Sequence, residues 1–347
     1  MVAQAMFHTR VKGAYYEMGY SHGTVLYRHG FRVSEQSTQK IDFVNKCEKE
    51  VSLFFPEILE EIRGFAVACH ASYEQLAAFI LCIGAFPPKA ACSIFATFNC
   101  SNVVFGRNYD FYYSFKDKIE SYLTCPRDGY WSVGQSDIFV GREDGINEKG
   151  FAVGMTAVAP KILKPGISFA IATRYVLDKC AAVDEAVETL SHVRFLAANN
   201  YLLADRHGNM AVVEASPAKI RVRRPEKGNN FMVCTNHFLH PEMLDLENRK
   251  ERPPDSMHRY VTIHNALKEQ HGKIDTKTAQ RLLSNHSGHV CSHVNSIQLG
   301  TLWSIVATLN DLKVFRAEGH PCITKYRQDE RLSRAIQKRQ KTIEPIE

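Results

Sequence analysis

The chain has 347 residues, 45% of them hydrophobic, which is enough to fill the core of one large domain or two ordinary ones. Its net charge of +6 is spread along the sequence, too thinly for the one-sided basic surface that nucleic-acid binding requires. Ten cysteines without close pairing predict reduced thiols and a cytoplasmic location. The longest apolar run, 76–86, has eleven residues, whereas a membrane span needs about 20. We therefore expect neither a nucleic-acid nor a membrane partner.

The first ninety residues are predicted to be mainly helical after a short strand. Apolar residues within 41–62 recur at helical spacing, and Pro56 is expected to divide this stretch into two helices. Residues 72–75 have the form of a capping box, which introduces a further helix that ends near Gly84. Pro87-Pro88 then interrupts the chain.

The sequence pattern changes at residue 92, where short segments rich in β-forming residues begin. Strands are predicted at 92–98, 103–108, 137–141, 151–157, 201–204, 210–214, 219–222, 231–235, 301–310 and 312–316. The four strands between 201 and 235 are expected to form a meander. Asp144-Gly145 has turn composition, helices are predicted at 168–193, 256–270 and 276–284, and the polar tail is expected to be frayed. Blocks of helices and strands that do not alternate one for one favour a layered fold with largely antiparallel sheets.

Cys92 has a distinctive position at the start of a predicted hairpin. Arg107 and Asp110 lie at the far end of the second strand, and an antiparallel hairpin brings its two outer ends together. A cation and a carboxylate beside a thiol would tune its pKa, and the thiolate is the reactive form of cysteine. A surface hairpin with an ion pair at its base would explain these residues equally well.

The segment 233–238 offers a second candidate site. Asn236 follows a predicted strand, where its amide could donate to an oxyanion, and Cys234 could be a nucleophile with His237 as its base. An ordinary turn at the end of a strand also favours asparagine. Cys100, in the hairpin turn, is expected to stay outside the chemistry.

A third candidate is a metal site in the segment 284–293. His286, His289, Cys291 and His293 could bind zinc, but their spacing lacks the two separated ligand pairs of the usual zinc sites. We therefore expect a polar loop with partly buried histidines, and no metal or other cofactor.

Four short motifs follow one another along the chain: ACS at 91–93, GRNYD at 106–110, DGINEKG at 144–150 and TNH at 235–237. In this order they resemble the choloylglycine hydrolase and penicillin acyltransferase group of N-terminal-nucleophile (Ntn) hydrolases. GYSHG at 19–23, GTLWS at 300–304 and GHPC at 319–322 resemble the acyl-CoA:6-aminopenicillanic acid acyltransferase branch, which is peptidase family C45.

The resemblance implies an α+β fold, a four-layer αββα sandwich with two largely antiparallel sheets. It also implies that the precursor cuts itself before the nucleophile, which places the cut between Ala91 and Cys92. Residues 1–91 would then form a helical α chain, and residues 92–347 the catalytic β chain that stays associated with it. The fungal acyltransferase pattern has glycine where Ala91 stands.

Residue roles follow from the same resemblance. Cys92 would be the nucleophile, with its own α-amine as base. Asn236 and the main-chain N–H near Thr156 would donate to the oxyanion. Asp110 would orient the amine, and Arg107 would supply positive potential.

The function implied is hydrolysis of a linear N-acyl amide through a thioester acyl-enzyme. An acyl-CoA-dependent N-acyltransferase would use the same intermediate, and an unprocessed member that binds small acyl ligands is the alternative from another class. The expected partner is a small N-acyl amide or acyl-CoA, and a homo-oligomer stays open.

Overall fold

The computed structural model describes residues 6–85, 91–99 and 101–343, in which two β-sheets pack face to face between layers of helices. The strands are β1 (Phe7–Gly13), β2 (Ala91–Phe98), β3 (Val103–Tyr112), β4 (Glu120–Pro126), β5 (Ser132–Ser136), β6 (Asp144–Asn147), β7 (Phe151–Ala157), β8 (Asn199–Asp205), β9 (Met210–Ala215), β10 (Ile220–Arg223), β11 (Phe231–Cys234), β12 (His293–Val294), β13 (Leu299–Thr308), β14 (Lys313–Ala317) and β15 (Arg327–Asp329). The helices are α1 (Tyr15–Arg28), α2 (Thr38–Phe54), α3 (Pro56–Ala68), α4 (Tyr73–Leu81), α5 (Phe169–Lys179), α6 (Val183–Ser191), α7 (Ser256–Glu269), α8 (Thr276–Leu283) and α9 (Arg331–Ile343).

The strand order defines two separate sheets. The first runs β1-β4-β5-β6-β7-β8-β9-β10, and the second runs β11-β2-β3-β13-β14-β15, with β12 also paired to β13. Neighbouring strands are antiparallel except for β1 and β4, which pair in parallel. The predicted hairpin of β2 and β3 and the largely antiparallel sheets are confirmed.

Alternation of side chains along the strands produces four layers. On β7, Phe151 and Val153 pack with the helices α1–α6, whereas Ala152 packs between the two sheets. On β2, Phe95 packs with α7 and α8, whereas Ile94 packs between the sheets. Because successive strand residues face opposite sides, each sheet covers the common core with one face and a helix layer with the other. The predicted αββα sandwich is therefore confirmed.

The helices of residues 6–85 are part of the core of the first sheet. Their apolar side chains form one continuous cluster with residues of α5, α6 and β7–β9. The predicted break at Pro56 and the cap at Ser72 are present, since α3 begins at Pro56 and the Ser72 side chain accepts a hydrogen bond from the Gln75 main chain. The Pro87-Pro88 interruption lies outside the described residues. In the part of the chain that is described, no helix has the length and apolar character needed to cross a bilayer.

The segment between β3 and β7 differs from the prediction. Residues 137–141 are bends rather than a strand, and two unpredicted strands, β4 and β5, precede them. Asp144-Gly145 is the start of β6 and not a turn. Turn composition misled here because the Asp144 carboxylate is buried against Arg107, and because a Cβ on Gly145 would lie 2.7 Å from Leu177 and 2.8 Å from the Val133 carbonyl oxygen.

Two further predictions were wrong in the second half of the chain. The strand at 231–235 does not continue the meander of β8, β9 and β10 but crosses to the other sheet as β11. As far as residue 343, where the described part of the tail ends, the tail is not frayed, since β15 and α9 form there: Arg331 is held by Asp329 and Ser121, and Leu332 is buried. Composition alone does not predict this ordered structure, because the charged side chains of the tail have partners only in the folded chain.

A buried ion network joins the helices of residues 6–85 to the rest of the chain. The Arg174 guanidinium of α5 lies 2.9 Å from a Glu61 carboxylate oxygen of α3 and 2.8 Å from one of Asp178. The Tyr15 hydroxyl of α1 donates to the Asp178 carboxylate at 3.0 Å. All of these charged groups are buried, so the network ties the two segments together where water cannot compete.

We expect Arg174→Ala to lower the free energy of unfolding by about 3–5 kcal/mol, because Glu61 and Asp178 would keep buried charges without a partner. Urea denaturation measures this difference. Arg194→Ala is the matched control, since Arg194 also reaches residues 6–85 through Glu50 but is exposed, and its loss should cost less than about 1 kcal/mol. Equal losses in the two variants would show that the buried network does not join the segments.

Candidate active site

Cys92 lies in β2, buried, on the face that points toward the first sheet. Its main-chain N–H donates to the side-chain oxygen Oδ1 of Asn236 at 2.7 Å. The neighbouring strand β11 ends at Cys234, opposite Ile94, so a side chain takes the place of the next main-chain partner. Both the sulfur and the main-chain nitrogen of Cys92 therefore face groups that could take part in chemistry.

The predicted proximity of Arg107 to Cys92 is confirmed. Guanidinium nitrogen Nη2 lies 3.8 Å from the Cys92 sulfur and donates to the Met155 carbonyl oxygen at 3.1 Å. Nη1 pairs with the Asp144 carboxylate, which also accepts a hydrogen bond from the Trp303 indole at 3.0 Å. Two acceptors, the Met155 carbonyl oxygen and the Asp144 carboxylate, thus hold the cation beside the sulfur.

Glu143 is the more distant of two carboxyls beside Arg107, with an oxygen 3.7 Å from the guanidinium. Burial, with the nearby Asp137, raises the pKa of Glu143 well above its usual range and so favours its neutral form. The closer contact of Arg107 is with the Asp144 carboxylate.

Burial decides the protonation of the thiol in the intact chain. It raises the pKa of Cys92 above its ordinary value, and this effect outweighs the opposing influence of Arg107. The thiol is consequently protonated at neutral pH, so its proton has to be taken up in the course of any attack by the sulfur.

Asp110 lies opposite Ala91 in the hairpin, as predicted, and is fully buried. Oxygen Oδ1 accepts a hydrogen bond from the Thr301 hydroxyl at 2.6 Å, and Oδ2 has no hydrogen-bond partner among the described residues. Burial raises the pKa of Asp110 to about 7, against the lowering effect of Arg259. Its carboxyl can therefore exchange a proton near neutral pH.

Arg259 of α7 is a site residue that the sequence did not reveal. Nη1 donates to the Cys92 carbonyl oxygen and, at 2.9 Å, to the Ser93 hydroxyl, while Nη2 donates to Asn236 Oδ1 at 2.9 Å. A single arginine on an amphipathic helix carries no local signal, because only the packing of α7 on β2 brings it to the site.

Asn236 presents its oxygen, not its amino group, to Cys92. Oδ1 accepts from both Cys92 N and Arg259, and Nδ2 donates to the Ala157 carbonyl oxygen at 2.9 Å. An amide nitrogen carries two hydrogens, so one donor of Nδ2 stays available for an oxyanion.

Thr156 lies one step further from the nucleophile. Its hydroxyl donates to the Thr235 carbonyl oxygen at 2.6 Å, and Asn200 bridges Thr156 Oγ1 and the carbonyl oxygens of Thr235 and His237. This network fixes the segment that carries Asn236. The oxyanion role predicted for the main-chain N–H near Thr156 stays a prediction.

The rival pair Cys234 and His237 is not arranged for catalysis. Cys234 packs between the sheets, and burial raises its pKa to about 12. The His237 ring faces the Thr235 and Ser256 hydroxyls, and burial lowers its pKa to about 3. Cys100 lies outside the described residues.

The four residues of the candidate metal site do not stay together. His286, Cys291 and His293 lie close to one another and to Cys322, a residue that the sequence interpretation did not include. His289 instead pairs with Asp255, at 3.1 Å.

Comparison with known proteins identifies a family. A family model described as acyl-coenzyme A:6-aminopenicillanic acid acyl-transferase matches residues 96–322, beginning four residues after Cys92. Penicillin V acylase of Pectobacterium atrosepticum is 32% identical over 123 residues, which cover 30% of this chain and 32% of that protein. The chain thus spans about a third of the length of the curated relative it matches.

Solved structures show weaker likeness. A conjugated bile acid hydrolase from Clostridium perfringens, solved as a mutant, is 15% identical with a TM-score of 0.48, over 69% of this chain and 96% of that one. An N-acylethanolamine-hydrolyzing acid amidase ortholog from Caenorhabditis elegans is 18% identical with a TM-score of 0.47, over 63% and 93%. Because these scores are below 0.5, the fold assignment rests on the layers and strand order of the chain itself.

A match that covers residues 96–322, about two thirds of the chain, shows that this protein belongs to the acyl-coenzyme A:6-aminopenicillanic acid acyltransferase family.

Proposed function

We propose that the protein is a self-processing amidohydrolase with an N-terminal cysteine, which cleaves a linear N-acyl amide through a thioester. The proposal rests on contacts made to two different atoms of Cys92, its sulfur and its main-chain nitrogen. Arg107 lies beside the Cys92 sulfur, and Asn236 accepts a hydrogen bond from the Cys92 main-chain nitrogen. A buried main-chain N–H needs an acceptor in any residue, so the support for the proposal lies in the two contacts meeting at one cysteine.

Processing would use the same sulfur on the chain's own peptide bond. The Cys92 sulfur attacks the Ala91 carbonyl carbon, the C–N bond breaks, and the thiol proton ends on the released amine. Water then hydrolyses the thioester, which gives an Ala91 carboxylate and a free thiol. Arg259, bound to the Cys92 carbonyl oxygen, would keep the residue in place during these steps.

The released amine supplies the base that the buried thiol lacks. A free α-amine has a pKa of about 7.7–8.0, so much of it is neutral at working pH and can accept the thiol proton. Asn236 Oδ1 and the unpartnered Asp110 oxygen would orient it. The sulfur then attacks the substrate carbonyl, the amine of the substrate leaves with the proton, and water releases the acid.

The developing oxyanion would be held by the second hydrogen of Asn236 Nδ2 and by a main-chain N–H near Thr156. Arg107 would stabilise negative charge on the sulfur as the proton leaves. These groups are buried and already fixed by other contacts, so little reorganisation is needed in the transition state.

The family match favours a second candidate, an acyltransferase that takes the acyl group from acyl-CoA. Both reactions pass through the same thioester. Water attacks it in hydrolysis, and an amine attacks it in acyl transfer. Incubation with acyl-CoA and an amine separates the two: an N-acyl product supports transfer, and free acid alone supports hydrolysis.

The two chains of the processed protein would remain associated. The apolar cluster of the first sheet contains residues from both sides of the proposed cut, and the Arg174 network joins them. The division into residues 1–91 and 92–347 is itself part of the proposal.

We expect Cys92→Ala to abolish both cleavage and activity, because it removes the attacking sulfur. Intact mass should show fragments of about 10 and 29 kDa for the unaltered chain, in proportion to 91 and 256 of its 347 residues, and a single 39.3 kDa chain for the variant. Cys234→Ala, at a buried cysteine of the next strand, is the control that should still be cut. If Cys92→Ala were still cut, the nucleophile would have to be another cysteine, Cys100 or Cys234. An uncut natural chain without thiol reactivity would indicate a ligand-binding member.

Asn236 can be tested as acceptor and donor separately. Asn236→Asp keeps an oxygen toward Cys92 N but loses the N–H donors, so we expect cleavage to continue while turnover falls by about 100–1000-fold. Asn236→Ala should slow cleavage as well. Both are measured by mass for cleavage and by kcat on the best substrate of an N-acyl amide panel. Unchanged kcat in a fully cut Asn236→Asp variant would remove Asn236 from the oxyanion site.

Asp110 should make stability depend on pH. Its pKa of about 7 in the folded chain lies above the ordinary 3.8, so between these values the folded state holds a proton that the unfolded state has lost. Stability contributed by this group is therefore full below about pH 4 and is lost as the pH rises to 7, by up to about 4 kcal/mol.

The measurement compares Asp110→Asn with its parent, both in the uncut Cys92→Ala background, by urea denaturation from pH 4.5 to 8. The free energy of unfolding of the asparagine variant should rise relative to its parent as the pH increases. Asp184→Asn, at an exposed aspartate, should show no such trend. A difference for Asp110→Asn that stays flat over this range would exclude the raised pKa.

A further inference from the structure

Four side chains at the edge of the second sheet form a cluster that the proposed catalysis does not use. His286 and Cys291 lie in the loop between α8 and β12, His293 lies in β12, and Cys322 lies in the turn after β14. Each offers one nitrogen or sulfur atom, and these four atoms all lie within 4.8 Å of one another. We refer to these residues as the His–Cys cluster.

The distances in the cluster fit a tetrahedral metal ion. His293 Nε2 lies 3.4 Å from the Cys291 sulfur and 3.4 Å from the Cys322 sulfur. Zinc bound at about 2.3 Å to sulfur and about 2.0–2.1 Å to nitrogen, at tetrahedral angles, places sulfur and nitrogen about 3.6 Å apart. His293 Nε2 and the two sulfurs would therefore have to separate by only a few tenths of an ångström.

The donor set identifies the class of metal. Two thiols and two imidazoles are the ligands of structural Cys₂His₂ zinc sites, and soft sulfur donors select against magnesium and calcium. We propose that the His–Cys cluster binds one zinc ion.

Contacts around the cluster hold its two chain segments in place. The Cys291 main-chain N–H donates to the Asn285 carbonyl oxygen at 2.9 Å, and the Ser284 hydroxyl donates to the Pro321 carbonyl oxygen at 3.0 Å. Such outer contacts orient ligands and tune the affinity of metal sites, so the loops are organised for binding.

The spacing in the sequence concealed the site for a simple reason. His286, Cys291 and His293 form one group of ligands, and the fourth ligand, Cys322, follows 29 residues later, beyond β13 and β14. His289 pairs with Asp255 and is not needed to complete the set.

The cluster is joined to the proposed active site through Ser292, which lies between two of its members. The Ser292 main-chain N–H donates to the Thr301 hydroxyl oxygen at 3.0 Å, and that hydroxyl donates to Asp110 Oδ1 at 2.6 Å. Zinc would fix Ser292 and, through Thr301, the orientation of the Asp110 carboxyl. The ion would have a structural role and would contact no reacting atom.

The primary test is the metal content of the full chain, purified without a histidine tag and without chelator, by elemental analysis. We expect about one zinc per chain, and a loss of affinity of more than about 100-fold in Cys322→Ser and in His286→Ala. His289→Ala is the matched control, since it removes a neighbouring histidine outside the cluster and should keep its zinc.

A second measurement depends neither on metal retained during purification nor on the folding of a variant. The chelated, reduced chain is titrated with zinc alone against a colorimetric chelator, and amide hydrogen exchange is followed at residues 292 and 301. Binding of one equivalent with slower exchange at both amides supports the proposal, independently of any catalytic activity.

Three results would overturn the proposal. One is the absence of stoichiometric binding by the reduced chain in this titration, and another is equal zinc content in Cys322→Ser and the unaltered chain. The third is an intact mass two hydrogens lower with Cys291 and Cys322 joined as a disulfide in protein prepared under reducing conditions. None of these outcomes would affect the test of Cys92.

Discussion

The ion pair between Arg107 and Asp144 is the interaction on which the site depends, because it crosses from one sheet to the other. Arg107 comes from β3 and Asp144 from β6, and both side chains are fully buried. Removal of either partner would leave an unbalanced charge in the core, at a cost of about 3–5 kcal/mol. Trp303 donates to the same carboxylate and stacks on Tyr109 with 3.8 Å between ring centroids. The same ion pair therefore fixes both the packing of the two sheets and the position of the Arg107 cation beside the thiol.

Burial has two opposing effects at this site. It makes the positive charge of Arg107 effective, since no water screens it, but it also raises the pKa of the Cys92 thiol more than Arg107 lowers it. Arg259, which binds the Cys92 carbonyl oxygen, also lowers the pKa of the thiol, but the effect of burial still prevails. A neutral amine adds no charge to the core, and the amine of Cys92 itself is close enough to accept the thiol proton. The hydrogen bond from the Cys92 nitrogen to Asn236 fits this solution, because it already places that nitrogen where a base would act.

Local patterns in the sequence were sufficient for the hairpin and for most helices. The register of β2 and β3 places Ala91 opposite Asp110 and Ile94 opposite Arg107, as hairpin geometry alone requires. Residues whose roles depend on distant packing escaped prediction. Arg259 reaches the site only through the docking of α7, and Asp144 reads as a turn until its buried partner on another sheet is known.

Asp110 shows how the periphery of the fold bears on its centre. A buried carboxyl with a raised pKa is costly to ionise, so its charge at neutral pH depends on the donors that face it. Thr301 is such a donor, and Thr301 is itself fixed by two hydrogen bonds with the main chain of Ser292. Loosening the loop that carries Ser292 would free the hydroxyl, weaken its bond to the carboxylate and raise the pKa of Asp110 further. The geometry of the loop that carries Ser292 thus influences the protonation of the buried Asp110 carboxyl through a single side chain, that of Thr301.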